Sequence, residues 1–273
     1  MTTASNPTAV ATGPYDEAID LAVESLYRFL AAVLSDPSSP GGATVCDPAS
    51  RQIVQDAADL LREEFGDEPL PLGFGELPVD QLNARPLLAE LARPKSELRE
   101  EYVRTFGFIM NRECPPYETE FHQIEDTFFR SQQMADIAGF YRAFGLEPGS
   151  PARERPDHIA LELEFVAFLL LKKRLAAAEG RDDPCELDRA ATCHEGRVAF
   201  VRDHLSWWAS SYAQALRRYS ERGLYAAAGA LLSALLPVDR RRLGVAAPTT
   251  PLEARVAETS EDCSGCLVSL STQ

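Results

Sequence analysis

The chain of 273 residues is acidic and moderately hydrophobic. It carries 42 aspartates and glutamates against 27 lysines and arginines, giving a formal net charge of -15, and 45% of its residues are hydrophobic. This charge argues against a nucleic-acid-binding protein, which would need a basic surface. The hydrophobic content is enough for a sizeable core, but the longest apolar runs are too short to cross a bilayer, so no stable membrane insertion is expected.

The N-terminal segment and the cysteines suggest where the protein works. Residues 1–14 are predicted to be disordered, and they lack the basic and then apolar segments of a secretory signal, so we expect a cytoplasmic protein. Six scattered cysteines do not suggest a disulfide framework. Cys263 and Cys266 form a C-x-x-C pair, which offers only two of the ligands of a closed zinc site. We expect an incidental or weakly metal-binding pair, with redox chemistry or metal handling as the alternative.

Hydrophobic periodicity predicts helices along most of the chain, beginning with an amphipathic helix that the breaker-rich residues 36–42 end. The consecutive prolines 115 and 116 forbid a helix at their position. A break is expected near Gly196, and Pro237 is expected to stop the last helix. In chain order the predicted helices cover residues 15–34, 50–65, 80–92, 96–108, a segment that resumes at 118, then 131–144, 156–178, 187–220 and 224–236.

These elements predict an all-α protein, because no segment shows the sustained alternation of a strand. We expect a single-domain helical bundle of about eight to ten helices over residues 15–243. Residues 244–273 are rich in proline, threonine and serine without an apolar period, which predicts a flexible tail. The chain shows no internal repeat and no glycine-rich phosphate-binding motif.

The segment 154–165 has the most informative local pattern. Pro156 is suited to the first position of a helix, where its missing N–H costs nothing. Asp157 would then lie at the positive end of that helix. His158 and Glu162 are four positions apart and would share one helix face. The following residues are apolar nearly all round, which indicates a buried central helix with titratable groups at its rim.

Several motifs together resemble the TorD/DmsD/NarJ-like chaperones, which assist the maturation of molybdenum-cofactor oxidoreductases. The likeness is greatest to the chaperones of type II dimethyl sulfoxide reductase-like enzymes and covers about residues 95 to 175, while the helical pattern extends it from about 15 to 240. The C-x-x-C tail is not part of the family pattern. In chain order the motifs are Glu101-Tyr102-Val103-Arg104-Thr105-Phe106-Gly107, Cys114-Pro115-Pro116-Tyr117-Glu118, Phe140-Tyr141-Arg142-Ala143-Phe144-Gly145-Leu146, and Pro156-Asp157-His158 with Glu162 and Phe165.

The resemblance implies a helical accessory protein that is neither an enzyme nor a subunit of the finished enzyme, and that needs no cofactor of its own. Its expected partner is the apo catalytic subunit of a molybdopterin enzyme, bound at its twin-arginine signal peptide until the cofactor is inserted. GTP or the molybdenum cofactor are secondary candidate ligands. The residues expected to bind the client peptide are Tyr102, Phe106, Pro115, Tyr117, Glu118, Pro156, Asp157, His158 and Glu162.

The window 97–126 has a composition that suits such a peptide. It contains eight acidic residues against three arginines, a net five negative charges, interleaved with five tyrosines and phenylalanines. A basic and then apolar peptide needs an apolar groove with acids nearby. The alternative interpretation is a solvated acidic helix face whose aromatic side chains lie in the core. Likewise, Asp157 could cap the helix and His158 could pack in the core without contacting a client. A further hypothesis is that protonation of His158 near neutral pH tunes client binding.

Two rival functions use other residues. A di-iron-like helical bundle could draw on the pairs Glu118 with His122 and His158 with Glu162, but such sites use Glu-x-x-His spacing and two further glutamates. Nucleotide binding could draw on basic residues near the end of the fold, although arginines also complement helix C-termini. Nucleophilic catalysis has no supporting motif. The basic residues are Arg217, Arg218, Arg222, Arg240, Arg241 and Arg242.

Overall fold

The computed structural model describes residues 14–38, 45, 47–67, 69–107, 114–123, 126–146, 154–179, 184–220 and 222–254. The prediction of an all-α bundle is confirmed, since helices account for nearly all regular structure in these residues. The α-helices are α1 (Pro14–Leu34), α2 (Pro48–Phe65), α3 (Arg85–Glu90), α4 (Lys95–Phe106), α5 (Thr127–Ala143), α6 (Ile159–Glu179), α7 (Pro184–Phe200), α8 (Ser206–Ser220) and α9 (Leu224–Leu243). Two 3₁₀ turns (Val79–Gln81, Glu118–Glu120) and a π-helical turn (Val201–Leu205) complete the set.

The core is built around α6, the helix that the sequence predicted to be central. This helix packs against α1 on one side and α7 on the other, and α8 packs against α9. Residues on several faces of α6 are buried, among them Leu163, Phe165 and Leu169. The apolar stripe of α1 is buried as its periodicity predicted, with Val23, Leu26 and Leu30 fully enclosed and further core residues beside them. None of the described helices is long and apolar enough to cross a membrane.

Several predicted helix boundaries differ from those of the structure. The predicted helix 80–92 is a 3₁₀ turn followed by the short α3, which begins with proline at its second position. The helix expected to resume at Glu118 is only a 3₁₀ turn. The long segment 187–220 is interrupted at the π-helical turn and not at Gly196, which packs within α7 close to the ring of Phe144.

Pro237 does not end the last helix, because α9 continues through it to Leu243. A proline removes the hydrogen bond to the carbonyl four residues earlier, which here belongs to Ser233. The backbone N–H of Leu77 donates to that carbonyl at 2.9 Å. A contact from a distant segment therefore satisfies the group that the proline leaves unpaired, and the helix is preserved.

The segment after α9 lies along the bundle as far as it is described. Val245 is 8% exposed, and Leu252 packs against the core. The N–H of Phe74 donates to the carbonyl of Pro248 at 2.7 Å, and the N–H of Leu252 donates to the hydroxyl of Ser211 at 3.2 Å. Residues 245–254 thus contact the packed structure, unlike the flexible tail that the composition predicts for them. Most of the predicted N-terminal segment and the Cys263–Cys266 pair lie outside the described residues.

Candidate functional site

Two of the sequence motifs pair with each other through their backbones. Tyr117 and His158 form an isolated antiparallel bridge. The N–H of Glu118 donates to the carbonyl of Asp157 at 2.9 Å, and the N–H of Ile159 donates to the carbonyl of Pro116 at 2.8 Å. The two prolines, which cannot continue a helix, instead present an extended segment to the turn before α6. This pairing also explains why α6 begins at Ile159 and not at Pro156, since residues 156–158 are held in the bridge and turn.

Arg155 ties the two motifs together through its side chain. Its guanidinium donates to both carboxylate oxygens of Asp157, at 3.0 and 2.7 Å, and to Glu120 at 3.2 Å. It also donates to the hydroxyl of Thr119 and lies 4.3 Å from the centre of the Tyr117 ring. Arg155 is not among the predicted site residues, because only the tertiary structure brings residues 117–121, which we call the 118 loop, beside it. We name this group of Tyr117, Thr119, Glu120, Arg155 and Asp157 the arginine clasp.

Asp157 has a different role from the one predicted for it at a helix end. Its side chain is fully buried, and its carboxylate accepts from the N–H and hydroxyl of Thr119 at 3.2 and 2.8 Å in addition to Arg155. His158 instead caps α6, since its Nδ1 accepts from the N–H of Ala160 at 3.2 Å. The carbonyl of Pro156 accepts from the hydroxyl of Tyr141 at 2.8 Å. The Pro156-Asp157-His158 motif therefore stabilises the start of α6 through buried hydrogen bonds, and Asp157 does not face solvent in this structure.

Burial also changes the acid–base behaviour of His158. Removal from water disfavours the charged imidazole and lowers its pKa to about 4, against only partial opposition from Asp157. His158 is therefore neutral throughout the range from about pH 5.5 to 8 that surrounds the ordinary histidine pKa. The hypothesis that its protonation tunes client binding near neutral pH is not supported by this environment.

We expect His158 to make folding stability fall in acid. Its folded-state pKa lies below the unfolded value of 6.5, so its contribution is present above pH 6.5 and is lost as pH falls through 6.5 towards about 4. The loss between neutral pH and pH 4 should be on the order of 3 kcal/mol. Urea denaturation at both pH values measures it, and His158→Asn, which retains a capping side chain, should show a smaller acid loss. An equal loss of stability in the wild type and in His158→Asn would show that His158 is not the cause of the acid sensitivity.

A second buried cluster joins Glu118 to Glu162. The indole N–H of Trp207 donates to Glu118 at 2.9 Å, and that of Trp208 donates to Glu162 at 3.1 Å. His204, on the π-helical turn, places its Nδ1 3.3 Å from the Glu118 carboxylate. Burial raises the pKa of Glu162 well above its usual value, and the neighbouring Glu118 raises it further. Two carboxyl groups side by side cannot both remain ionised, so Glu162 keeps its proton over a wider pH range than an exposed glutamate.

The structure does not favour either rival function. Among the described residues, no three histidine, cysteine or acidic side chains are arranged to hold a metal ion. In the predicted Glu118–His122 pair, Nε2 of His122 lies 3.9 Å from a carboxylate oxygen of Glu118. In the second pair, His158 packs against Tyr117, with ring centres 5.2 Å apart. Several of the arginines proposed for nucleotide binding are used internally: Arg240 pairs with Glu76, Arg242 with Asp20, and Arg217 donates to the carbonyl of Gly75.

The aromatic residues of the first motif form a cluster near the clasp. Tyr102 and Phe106 lie with ring centres 5.2 Å apart, and Phe106 meets the ring of Tyr225 at 4.8 Å. Phe106 is buried, whereas Tyr102 is only partly buried. Burial is the main cause that raises the pKa of Tyr102 to about 12, and the negative charges of Glu154 and Asp36 raise it further. The hydroxyl of Tyr117 donates to the same Glu154 at 3.2 Å.

The acidic window that prompted the peptide-binding hypothesis is partly neutralised. Glu101 and Glu120 are buried and paired, the first with Arg93 and the second with Arg155. Glu118 is buried against indole and imidazole groups, while Glu97 and Glu100 are exposed. The alternative interpretation, a solvated acidic face, is therefore correct only in part, and the peptide-binding interpretation stays a prediction. Some acids form internal contacts, while Tyr102, Glu154 and Tyr117 of the clasp remain partly accessible.

Comparison with known proteins relates these motifs to a family. A family model described as "Nitrate reductase delta subunit" matches residues 77–214. The chain is 31% identical over 115 residues to the selenate reductase assembly chaperone protein of Thauera selenatis, which covers 42% of this chain and 55% of that protein. It is 32% identical over 111 residues to the chlorate reductase assembly chaperone protein of Ideonella dechloratans, covering 41% of this chain and 53% of that protein.

The likeness extends to chaperone protein TorD of Vibrio cholerae, at 27% identity over 113 residues, 41% of this chain and 46% of that protein. The chain thus spans about half the length of the curated relatives it matches. The family match includes Tyr102 and Phe106 of the aromatic cluster, the whole arginine clasp and the Glu118–Glu162 cluster. The resemblance proposed from the motifs is confirmed: this chain belongs to the nitrate reductase delta subunit family, which is the TorD/NarJ family.

Proposed function

We propose that this protein is an assembly chaperone for a molybdenum-cofactor oxidoreductase of the dimethyl sulfoxide reductase family. It acts in the cytoplasm, without catalysis or a cofactor of its own. It binds the apo catalytic subunit at its twin-arginine signal peptide and holds it until the cofactor is inserted. The relatives named as selenate and chlorate reductase assembly chaperones support this role. Binding of GTP or of the molybdenum cofactor stays a prediction from the sequence.

The observation that carries the proposal is the surface formed by Tyr102, Tyr117 and Glu154. These side chains are partly exposed, whereas Phe106, Pro116 and Asp157 nearby in the same motifs are buried. Aromatic rings provide apolar contact, and the carboxylate of Glu154 complements a basic peptide. Tyr102 and Tyr117 contact the peptide. The other predicted residues act by holding this surface in place: the buried Pro115, Glu118, Asp157, His158 and Glu162, and the partly buried Pro156.

Co-purification with the client tests the proposal. The chaperone should be co-expressed with a molybdopterin catalytic subunit encoded beside it, in cells able and unable to make the cofactor. We expect the complex to form with the apo subunit, to weaken once the cofactor is inserted, and to require the signal peptide. Failure to bind the subunit in either form would overturn the proposal, whereas binding without the signal peptide would overturn only the proposed contact.

A surface substitution gives a quantitative test. Tyr102→Ala removes a central aromatic contact, and we expect it to weaken binding by about 2 kcal/mol, or roughly 30-fold in Kd, as is typical for an aromatic hot spot. Leu175→Ala is the matched control, because it removes a side chain that is 53% exposed towards the other end of α6. Isothermal titration with the signal peptide measures both variants. Equal affinities for the two would argue against a central role of Tyr102.

A further inference from the structure

One face of α8 is only partly covered by the rest of the bundle. Ser211, Ala215 and Arg218 are three or four positions apart, so they share this face. Residues 245–254, which we call the strap, cover its first part, where the N–H of Leu252 donates to the hydroxyl of Ser211 at 3.2 Å. Beyond that point the face is open, since Ala215 is only partly buried and Arg218 is exposed.

The open part of this face borders a cleft of about 330 Å³. Phe121 of the 118 loop forms one wall of the cleft, and residues 252–254 of the strap form another. The helix α4 lies at its edge, because the hydroxyl of Tyr219 donates to the carbonyl of Arg104 at 3.3 Å. The strap therefore leads directly into an open cleft. The residues of α8 that line it are Ser211, Gln214, Ala215, Arg218 and Tyr219.

The charges beside the cleft favour an acidic occupant. Two exposed arginines lie there, Arg218 in the lining and Arg104 on the helix end that Tyr219 contacts. One acidic residue of the lining, Glu253, opposes them. This local surplus of positive charge contrasts with the formal net charge of -15 of the whole chain. An acidic segment would complement it.

The residues that follow the strap lie outside the described structure, but their sequence suits this cleft. Residues 255–262 contain three acids and one arginine, a net of two negative charges. The apolar pair Val256-Ala257 precedes the acids and matches the apolar wall that Phe121 forms. The segment thus offers apolar and acidic groups in the order in which the cleft could receive them. The three acids are Glu258, Glu261 and Asp262.

The length of this segment is also sufficient. Ser211 and Tyr219 are eight positions apart on α8, which corresponds to about 12 Å along the helix axis. An extended chain from Ala254 to Cys263 spans at most about 30 Å. The residues after the strap can therefore run along the open face of α8 and pass Tyr219 without strain.

We propose that residues 255–262 continue the strap along α8 and occupy the cleft. Their apolar pair enters beside Phe121, and their three acids pair with Arg218 and Arg104. This segment is favoured over a separate partner because it begins at the wall of the cleft, which gives it a high effective concentration there. The contact lies within the chain and goes beyond the proposed function, since it needs no client. It also brings the Cys263–Cys266 pair to the end of α4.

Disulfide trapping in the full chain tests this contact. Tyr219→Cys places a thiol at the cleft, Cys263 supplies the second thiol, and Cys185→Ser with Cys266→Ser removes competing thiols. Under mild oxidation we expect a disulfide within one chain between positions 219 and 263, because docking brings the two sulfur atoms within bonding range. Mass spectrometry of proteolytic fragments identifies the bond. Sodium chloride at about 1 M should slow its formation roughly tenfold, because salt screens the ion pairs.

Charge reversal distinguishes docking from chance collisions of a tethered segment. In the trapping variant, Arg218→Glu should slow the reaction roughly tenfold, and so should lysine at all three acids. Combining the two reversals restores opposite charges and should recover most of the rate. The matched control is Arg142→Glu, which reverses an exposed charge on α5 and should leave the rate unchanged. The three lysine substitutions are Glu258→Lys, Glu261→Lys and Asp262→Lys.

Three results would overturn the inference. The first is that no disulfide between positions 219 and 263 forms. The second is that the single reversals leave the rate unchanged, or that their combination reacts more slowly than either of them. The third is that the disulfides join two chains, which would assign the cleft to a second copy of the protein. The Tm of each variant, which should stay within a few degrees of the wild-type value, shows that the bundle remains folded.

Discussion

Asp239→Ala is expected to destabilise the folded chain by about 3–5 kcal/mol, because it leaves a buried guanidinium without its counter-ion. Asp239 is 0% exposed and pairs with Arg197, which is 2% exposed. The hydroxyl of Tyr27 donates to the same carboxylate at 3.1 Å. This network joins α1, α7 and α9, so its loss affects the centre of the bundle. Urea denaturation followed by circular dichroism measures the change in the free energy of unfolding.

A double variant distinguishes the effect of the unpaired buried charge from general damage to the packing of the core. Arg197→Met combined with Asp239→Leu replaces the ion pair by apolar side chains of similar size, and such replacements are often neutral or stabilising. We expect the double variant to recover most of the stability lost in Asp239→Ala. The control is Asp203→Ala, which breaks an exposed pair with Arg202 and should change little. A double variant as unstable as Asp239→Ala would show that the charge is not the cause.

Arg155→Ala is expected to be the most damaging single change at the candidate site. It removes the partner of Asp157, whose side chain is 0% exposed, and the group stacked on Tyr117. Because Arg155 itself is 33% exposed, we expect a loss below that of a fully buried pair, about 2–4 kcal/mol. Client-peptide affinity should fall as well, since the Tyr117 surface is no longer held in place.

Arg155→Ala combined with Asp157→Asn distinguishes the loss of folding stability from the loss of peptide affinity. The second substitution removes the buried charge, so part of the lost stability should return. Peptide affinity should stay low, because the asparagine cannot restore the contact between the two motifs. Thermal unfolding measures the stability, and fluorescence polarisation with a labelled signal peptide measures the affinity. Full recovery of affinity in the double variant would show that Arg155 matters only for stability and does not position the peptide surface.

The helices were predictable where local pattern and packing agree. The amphipathic period of α1 predicted its bounds to within a residue, and the apolar run of α6 predicted its central position. Predictions failed where a distant group decides the outcome. Pro237 remains helical because Leu77 satisfies the carbonyl of Ser233, and no pattern around the proline indicates that contact. The π-helical turn likewise has no local signature.

The candidate site was predictable in its motifs but not in its chemistry. Ordered motifs around Tyr102, Tyr117 and His158 were sufficient to indicate the family, and the structure brings these segments together. Which side chains are accessible could not be read from them, because burial depends on elements far along the chain. Asp157 looked like a charge facing a client, but Arg155 and the 118 loop enclose it. His204, Trp207 and Trp208 were missed because they approach the site from the π-helical turn and α8.

The sequence by itself determined the helical fold class, the central helix and the family, because periodicity, prolines and motif order are local properties of the chain. The tertiary structure decided which motif residues hold the site and which are accessible to a partner. It did so because hydrogen bonds such as those of Arg155 join residues up to 36 positions apart, and those of Trp207 join residues 89 positions apart. The burial of a side chain and the shift of its pKa both follow from such contacts.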